Sequence, residues 1–282
     1  MDLLRTSLQE EISRYFQEDD LRRNAFYLSQ LPHDLVACNI FIKSDLLLSG
    51  LPWFMATLDY LGVEGVSSSI EEEFEGKPLK KGAVISLGNM PFSKALTAER
   101  IALNLMQRSS NISTYTREYV KKAEKYNIKI LDTRKTTPGL RNLEKYAVRA
   151  GGGYNHRLGQ TDLWMIKDNH KSFFGSVEKA LDFFKGIGSF YAPIEIEVHN
   201  EKEFEEAIDL GARHIMLDNF SPQLIGKVIG RKSQGITVEV SGAITLENLE
   251  RYLIKGVDAI SVGSLTYAAP AVDISFKYQK IK

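Results

Sequence analysis

The chain has 282 residues, 43% hydrophobic and 26% charged, with 36 Lys+Arg balanced by 36 Asp+Glu and a single cysteine. That length buries a full core in one large or two smaller domains, and the zero net charge excludes a general nucleic-acid or anionic-membrane binder, so any cationic site is local. Cys38 alone cannot form an internal disulfide, no Cys/His spacing makes a zinc motif, and no run approaches the roughly 20 apolar residues of a membrane span, so a cytoplasmic protein is expected.

Leu4, Leu8, Ile12 and Phe16 recur at helical spacing and predict a helix over residues 2–17. VACNIFIKSD and GAVISLG read as strands, and LPWFMATLDYLG between them as a helix closed by Gly62. SSSIEEEFEGKPLKKG is a charged connector. The first hundred residues thus have an α+β pattern with no regular βα repeat.

From about residue 97 the pattern changes. TAERIALNLMQRSS predicts a helix capped by Thr97, with Ala98, Ile101, Ala102, Leu105 and Met106 as its apolar stripe, and TYTREYVKKAEKYN predicts a second helix. IKILD, DLWMIKD, IEIEVHN, HIMLDNF, TVEVSGA and DAISVGS then alternate with helical segments, the pattern of a parallel sheet. So many units favour closure into a (β/α) barrel. An open doubly wound sheet is less favoured, because no glycine-rich dinucleotide fingerprint follows an early strand.

Barrels carry chemistry at the C-terminal ends of their strands. Here each strand ends in polar groups or glycine: Asp132–Arg134–Lys135, Lys167–Asp168, Glu197, Asp218, Ser241–Gly242 and Gly263–Ser264. Arg134, Lys135, Arg157 and Lys167, with His156 beside them, fall on the first two strands and the loop between, which implies a ligand bearing several negative charges. Glu197 and Asp218 form a carboxylate pair two strand ends on, suited to Mg²⁺, sugar hydroxyls or a developing cation. Glu195 points the same way as Glu197, so spacing leaves the choice between them open. VSGAIT and SVGSLT close the last two strands with small residues that leave backbone N–H groups open to a phosphate. TTPGL and Gly151–Gly153 read as turns around this constellation.

LDTRKTTPGLRNLEKYAVRAGGGYNHRLG followed by IKDNH closely resembles the signature of the quinolinate phosphoribosyltransferase family, and TAERIALN, EIEV, MLDN, EVSGAIT, DAISVGSLT and VDIS continue the match in order. The resemblance implies an α/β fold: an incomplete TIM-like (β/α) barrel over 109–268, with an N-terminal α+β open-sandwich domain over 1–108 on which a C-terminal tail, 269–282, packs. It implies decarboxylating transfer of phosphoribose from 5-phosphoribosyl-1-pyrophosphate (PRPP) to quinolinate, making nicotinate mononucleotide for NAD biosynthesis. Mg²⁺ would accompany the pyrophosphate of PRPP, with no direct protein ligand assigned. By resemblance, Arg100, Thr133, Arg134, His156, Arg157 and Lys167 match the quinolinate positions. Lys135, Glu197, Asp218, Ser241, Gly242, Ala243, Val262, Gly263 and Ser264 match the PRPP and phosphate positions, which selects Glu197 over Glu195. Lys135, Lys167, Glu197 and Asp218 are the expected catalytic group. Arg100 matches an arginine delivered from a partner subunit, so a homodimer with shared sites is implied, with neither nucleic acid nor membrane as a partner.

Four features depart from the family pattern. Asn111 stands for a glycine, Gln160 for a leucine, Tyr267 for a histidine, and EDDLRRNAFY lacks the customary acidic-Gly-Asp stretch. A sister transferase of the molybdate-operon type usually departs from TRKTTPG and IKDNH, which this chain keeps. Two rival functions are a Schiff-base lyase using Lys135 or Lys167 and a phosphometabolite sensor on an inactive barrel.

Overall fold

The structure, a computed structural model, describes residues 3–19 and 25–281, with side chains from residue 7 onward. The side chain of Leu4 and the 20–24 part of the divergent N-terminal stretch lie outside the described residues. The chain forms two compact units: residues 1–115 with 142–151 and 269–282, and residues 116–141 with 152–268.

In the first unit, the helix Leu3–Glu18 buries Leu8, Ile12 and Phe16, the periodic apolar positions, and Phe16 stacks on Tyr60 with ring centroids 5.1 Å apart. Strand β1 (Leu35–Ile42) buries every second residue, from Val36 through Cys38 and Ile40 to Ile42, which is how a half-buried strand behaves. The helix Leu51–Tyr60 is apolar around its whole circumference and is buried from Leu51 to Leu58. Gly62, at φ 66°, turns the chain out of that helix as expected. Two short strands, β2 (Leu46–Leu47) and β3 (Pro78–Leu79), pair with each other, and β4 (Val84–Pro91) pairs antiparallel with β1.

The two helices expected over 97–127 are one continuous helix, Phe92–Ala123, followed by a 3₁₀ turn, Glu124–Tyr126. Thr97 is therefore no cap. Its hydroxyl donates to Ser93 O one turn back, at 2.7 Å, inside the helix. The two expected helices part at 111–113, among polar residues. Instead these side chains satisfy the neighbouring backbone: Ser110 Oγ accepts from Ser49 N–H at 3.0 Å, Thr114 Oγ1 from Leu47 N–H at 2.9 Å, and Ser113 donates to Leu47 O at 2.7 Å. The 108/109 boundary expected from the sequence falls within this helix. The helix Arg141–Ala150, expected in the barrel, lies almost entirely in the first unit, where Glu144 is fully buried and paired with Arg108 at 2.7 Å.

The second unit holds β5 (Lys129–Leu131), β6 (Trp164–Ile166), β7 (Ile194–Val198), β8 (His214–Asp218), β9 (Thr237–Ser241) and β10 (Ala259–Ser261). They form one six-stranded parallel sheet in the order β5-β10-β9-β8-β7-β6. The first strand pairs with the last, as in a (β/α) barrel, while β5 and β6 remain as the two edges, so closure is incomplete. Ile196, Val198, Ile215, Leu217, Val238, Val240 and Ile260 are wholly buried on one face. The alternate face of β7 to β9 carries Glu195 and Glu197, Met216 and Asp218, and Glu239 and Ser241. The chain then returns to the first unit as β11 (Ile274–Lys280), which pairs antiparallel with β1 on the side opposite β4.

Candidate functional site

The C-terminal ends of β5 to β10 surround a cavity of about 720 Å³. Every strand end singled out in the sequence contributes to its wall. Thr133, Arg134 and Lys135 follow β5, Lys167 follows β6, Glu197 and Asp218 come from β7 and β8, Ser241, Gly242 and Ala243 from the β9 turn, and Gly263 and Ser264 from the β10 turn. His156 and Arg157 enter from the loop between β5 and β6.

The cations stand on one side. Arg134 Nε is buried with no hydrogen-bond partner, a donor that a ligand oxygen would satisfy. Arg157 is anchored by a bond from its guanidinium to Leu163 O at 3.0 Å. Burial above all, and then the nearby Arg134 charge, lowers its pKa from the usual guanidinium value. Two guanidiniums held close in this way favour an anion between them. Lys167 Nζ lies 2.5 Å from Glu197 Oε2, and Glu197 is itself only 7% exposed. Lys135 runs along the β10 turn, its Cδ 3.0 Å from where a side chain on Gly263 would begin.

Both nitrogens of His156 are engaged within the protein. Nε2 lies 3.1 Å from Glu195 Oε2 and 3.4 Å from Glu239 Oε2, while Nδ1 accepts the Arg157 backbone N–H at 2.7 Å. Burial pulls the imidazole pKa down, but the Glu195 hydrogen bond and the two carboxylate charges outweigh it and leave the pKa raised. The Arg157 bond nevertheless requires an unprotonated Nδ1, so the hydrogen bonds assign the Nε2–H tautomer here. As placed, the ring has no free nitrogen for a ligand.

On the opposite side, Asp218 Oδ2 accepts from Asn219 Nδ2 at 2.7 Å and lies 3.6 Å from His199 Nδ1. His199, unremarked in the sequence, lies beside Asp168 and Glu197; the three offer possible metal-ligand atoms within 4.8 Å of one another. Asn219 was also missed. It adopts φ 56°, and Asn immediately after a strand-end Asp is the one sequence signal that could have marked it. Val262 has a buried side chain, and its N–H bonds Leu131 O at 2.9 Å, so it supplies no donor to the cavity. Arg100, two-thirds exposed on the first unit's long helix, has an ion pair with Glu99 at 4.0 Å and is not a lining residue of the cavity.

Gly242 adopts φ 104° and packs on Asn219, where an added Cβ would collide with the amide side chain and approach its backbone N at 2.7 Å. Gly242→Ala therefore forces both a disfavoured φ and a shift of Asn219. We expect at least about a tenfold rise in KM for a phosphate-bearing substrate, measured by steady-state kinetics beside a thermal melt.

Residues 112–277 match the family model of the quinolinate phosphoribosyl transferase C-terminal domain, and residues 24–110 match that of its N-terminal domain. A protein of Bacillus subtilis, named probable nicotinate-nucleotide pyrophosphorylase (carboxylating), is 40% identical over 272 residues, covering 95% of this chain and 92% of that one. The chain belongs to the quinolinate phosphoribosyl transferase family. The Homo sapiens nicotinate-nucleotide pyrophosphorylase (carboxylating) is 35% identical over 243 residues, with 84% and 80% of the two chains covered. The crystal structure of NadC from Streptococcus pyogenes superposes with a TM-score of 0.88 at 34% identity, over 100% of both chains.

Family membership gives the departures a local meaning. Asn111 Oδ1 accepts the Val272 N–H at 2.8 Å, tying down the segment that leads into β11. Gln160 meets Arg157 through its backbone carbonyl at 3.4 Å, so the side-chain change spares that contact. Tyr267 is a cavity residue, packed against the β10 turn near Gly263.

Proposed function

We propose that the chain transfers phosphoribose from PRPP to the ring nitrogen of quinolinate with loss of CO₂, yielding nicotinate mononucleotide and pyrophosphate. The observation that carries this is the buried, unpartnered Arg134 Nε, standing with Arg157 and Lys167 in one cavity that also holds two carboxylates and two glycine-containing turns. Three cations suit the adjacent carboxylates of quinolinate. The turns at Gly242 and Gly263, with Lys135 beside the latter, suit the 5′-phosphate. At about 720 Å³ the cavity has the size of a small-molecule site.

The chemistry follows from the two sides. The C1′–O bond of PRPP breaks with its electron pair leaving on pyrophosphate, and the quinolinate nitrogen lone pair forms the C1′–N bond. Glu197 and Asp218 stabilise the positive charge that develops on the ribose between these events. The resulting pyridinium accepts the electron pair of the C2–carboxylate bond as CO₂ departs, and a proton then adds at C2. No covalent nucleophile is needed, so positioning and charge carry the rate. Lys167, 2.5 Å from Glu197, stands where the two sides of the cavity meet.

Mg²⁺ would accompany the pyrophosphate of PRPP, and the carboxylate oxygens of Asp168 and Glu197, within 4.8 Å of each other and of a His199 nitrogen, would fit such an ion. When bound, the ion neutralises the departing pyrophosphate. A homodimer in which Arg100 reaches a second copy's cavity, and a cytoplasmic location, belong to the same proposal; the buried free thiol of Cys38 fits a reducing compartment.

The test is release of pyrophosphate and CO₂ from quinolinate, PRPP and Mg²⁺, with nicotinate in parallel. Equimolar release with quinolinate alone is expected. Turnover of nicotinate alone would refute the assignment of the cationic side, and binding of PRPP without any turnover would mark a sensor.

A further inference from the structure

Beneath the cavity, three titratable side chains meet inside the second unit. Glu195 on β7 and Glu239 on β9 project to the same face, and both are at least 95% buried. Nothing in the phosphoribosyl transfer derived above uses either one. Burying two acids side by side is costly, and apolar residues such as the neighbouring Met216 fill such space without that cost.

Their contacts lead to one place. Each sends an oxygen to His156 Nε2, at 3.1 Å from Glu195 and 3.4 Å from Glu239. The far side of the ring holds the Arg157 backbone N–H at 2.7 Å. Asp132 secures the same loop, accepting His156 N–H at 2.9 Å and Asn155 Nδ2 at 2.6 Å. A chain of contacts thus runs from β9 through an imidazole to the backbone of Arg157, whose guanidinium lines the cavity.

We propose that Glu239 is a positioning residue for the transfer: with Glu195 it clamps the His156 ring, and the ring fixes the Arg157 segment at the quinolinate end of the cavity. This rests on the quinolinate assignment made above. Glu239 does not line the cavity, and His156 is its route to Arg157. The clamp's bonds lead through His156 to the Arg157 segment, so its loss is expected to weigh on quinolinate more than on PRPP.

Burial first, and the Glu195 charge second, push the Glu239 pKa up to about 8, against the opposing influence of His156, Ser261 and Lys167. These are the groups facing it from β7, the His156 loop, β10 and the end of β6. The sign follows directly. As the pH rises through about 8, Glu239 passes from mostly neutral to mostly charged, which adds negative charge below the site for a dianion and weakens quinolinate binding.

The experiment compares wild type, Glu239→Ala and Glu239→Gln across pH 6.5–9.5, reading KM for quinolinate and for PRPP separately. Glu239→Ala is expected to raise KM for quinolinate about tenfold with KM for PRPP within about twofold, and Glu239→Gln to recover most of that loss. The wild-type rise in KM for quinolinate above pH 8 should be absent in Glu239→Gln. Equal changes in both KM values, or an alkaline rise that persists in Glu239→Gln, would overturn the proposal. Should Glu239→Ala not fold, the pH comparison of Glu239→Gln decides alone. A wild type inert toward quinolinate would instead overturn the assignment on which the proposal stands, and the two failures are told apart in the same assay.

Discussion

Lys167→Met is expected to lower kcat/KM for quinolinate by about 10–10², because the Lys167 side chain is 42% exposed, a charge-assisted hydrogen bond is worth about 1.5–3 kcal/mol, and tenfold is about 1.4 kcal/mol. Two losses coincide in this variant. One cation disappears from the side of the cavity assigned to quinolinate. Glu197, only 7% exposed, also loses the partner 2.5 Å away and is left as a negative charge in the wall. Lys167→Arg keeps the charge but replaces a compact ammonium with a planar fork, and about a tenfold loss is expected. The coupling is checked by adding Glu197→Gln. If the pair acts as a unit, the double variant will be far less impaired than the product of the single losses. A fall of less than tenfold for Lys167→Met, or strict additivity, would show that the pair does not sit at the reacting centre.

Mixing two inactive variants should restore activity if sites are shared between subunits. Arg100 is two-thirds exposed and its ion pair with Glu99, at 4.0 Å, is long, so little in its own unit accounts for a role in stability. Arg100→Ala is expected to lower kcat/KM by about 10² or more, with the melting temperature within about a degree of wild type. Lys167→Ala damages the site from the other side. In a random mixture half the dimers pair one variant with the other, and each mixed dimer holds one site free of both lesions, so recovery of about a quarter of wild-type activity is expected. No recovery, with mixed dimers shown to form, would make Arg100 a solvated surface residue.

The strand ends were legible because two simple periods coincide there. Apolar runs such as IEIEV and TVEVS mark buried parallel strands, and the polar or glycine residues at and just past the end of each run lie near the mouth of the barrel. Arg134, Lys167, Glu197, Asp218 and Gly242 all reach one cavity for that reason. What remained hidden depends on partners distant in sequence. The helix reads as two pieces parted at 111–113 until Leu47 and Ser49 supply backbone groups for the hydroxyls of Ser110, Ser113 and Thr114. Alternation puts Glu195 and Glu239 on the inner face, but nothing in IEIEV or TVEVS says that both meet one imidazole from another loop. The same limit applies to His156. Its neighbours Asn155 and Arg157 advertise a polar loop, while the occupation of both ring nitrogens emerges only with Glu195 and the Arg157 N–H in place.

The return of β11 to β1 bears on how the protein is made. β1 is the central strand of its sheet, flanked by β4 and β11, and Val272, Ile274 and Phe276 complete the apolar core around it. On the ribosome, β1 and β4 emerge first and then wait through the synthesis of the whole second unit, roughly ten to thirty seconds at about 5–20 residues per second. During that interval one edge of β1 is unpaired and part of its core is missing. The later-made unit has all its strands before the earlier one does, so the N-terminal sheet is the last to have every strand available.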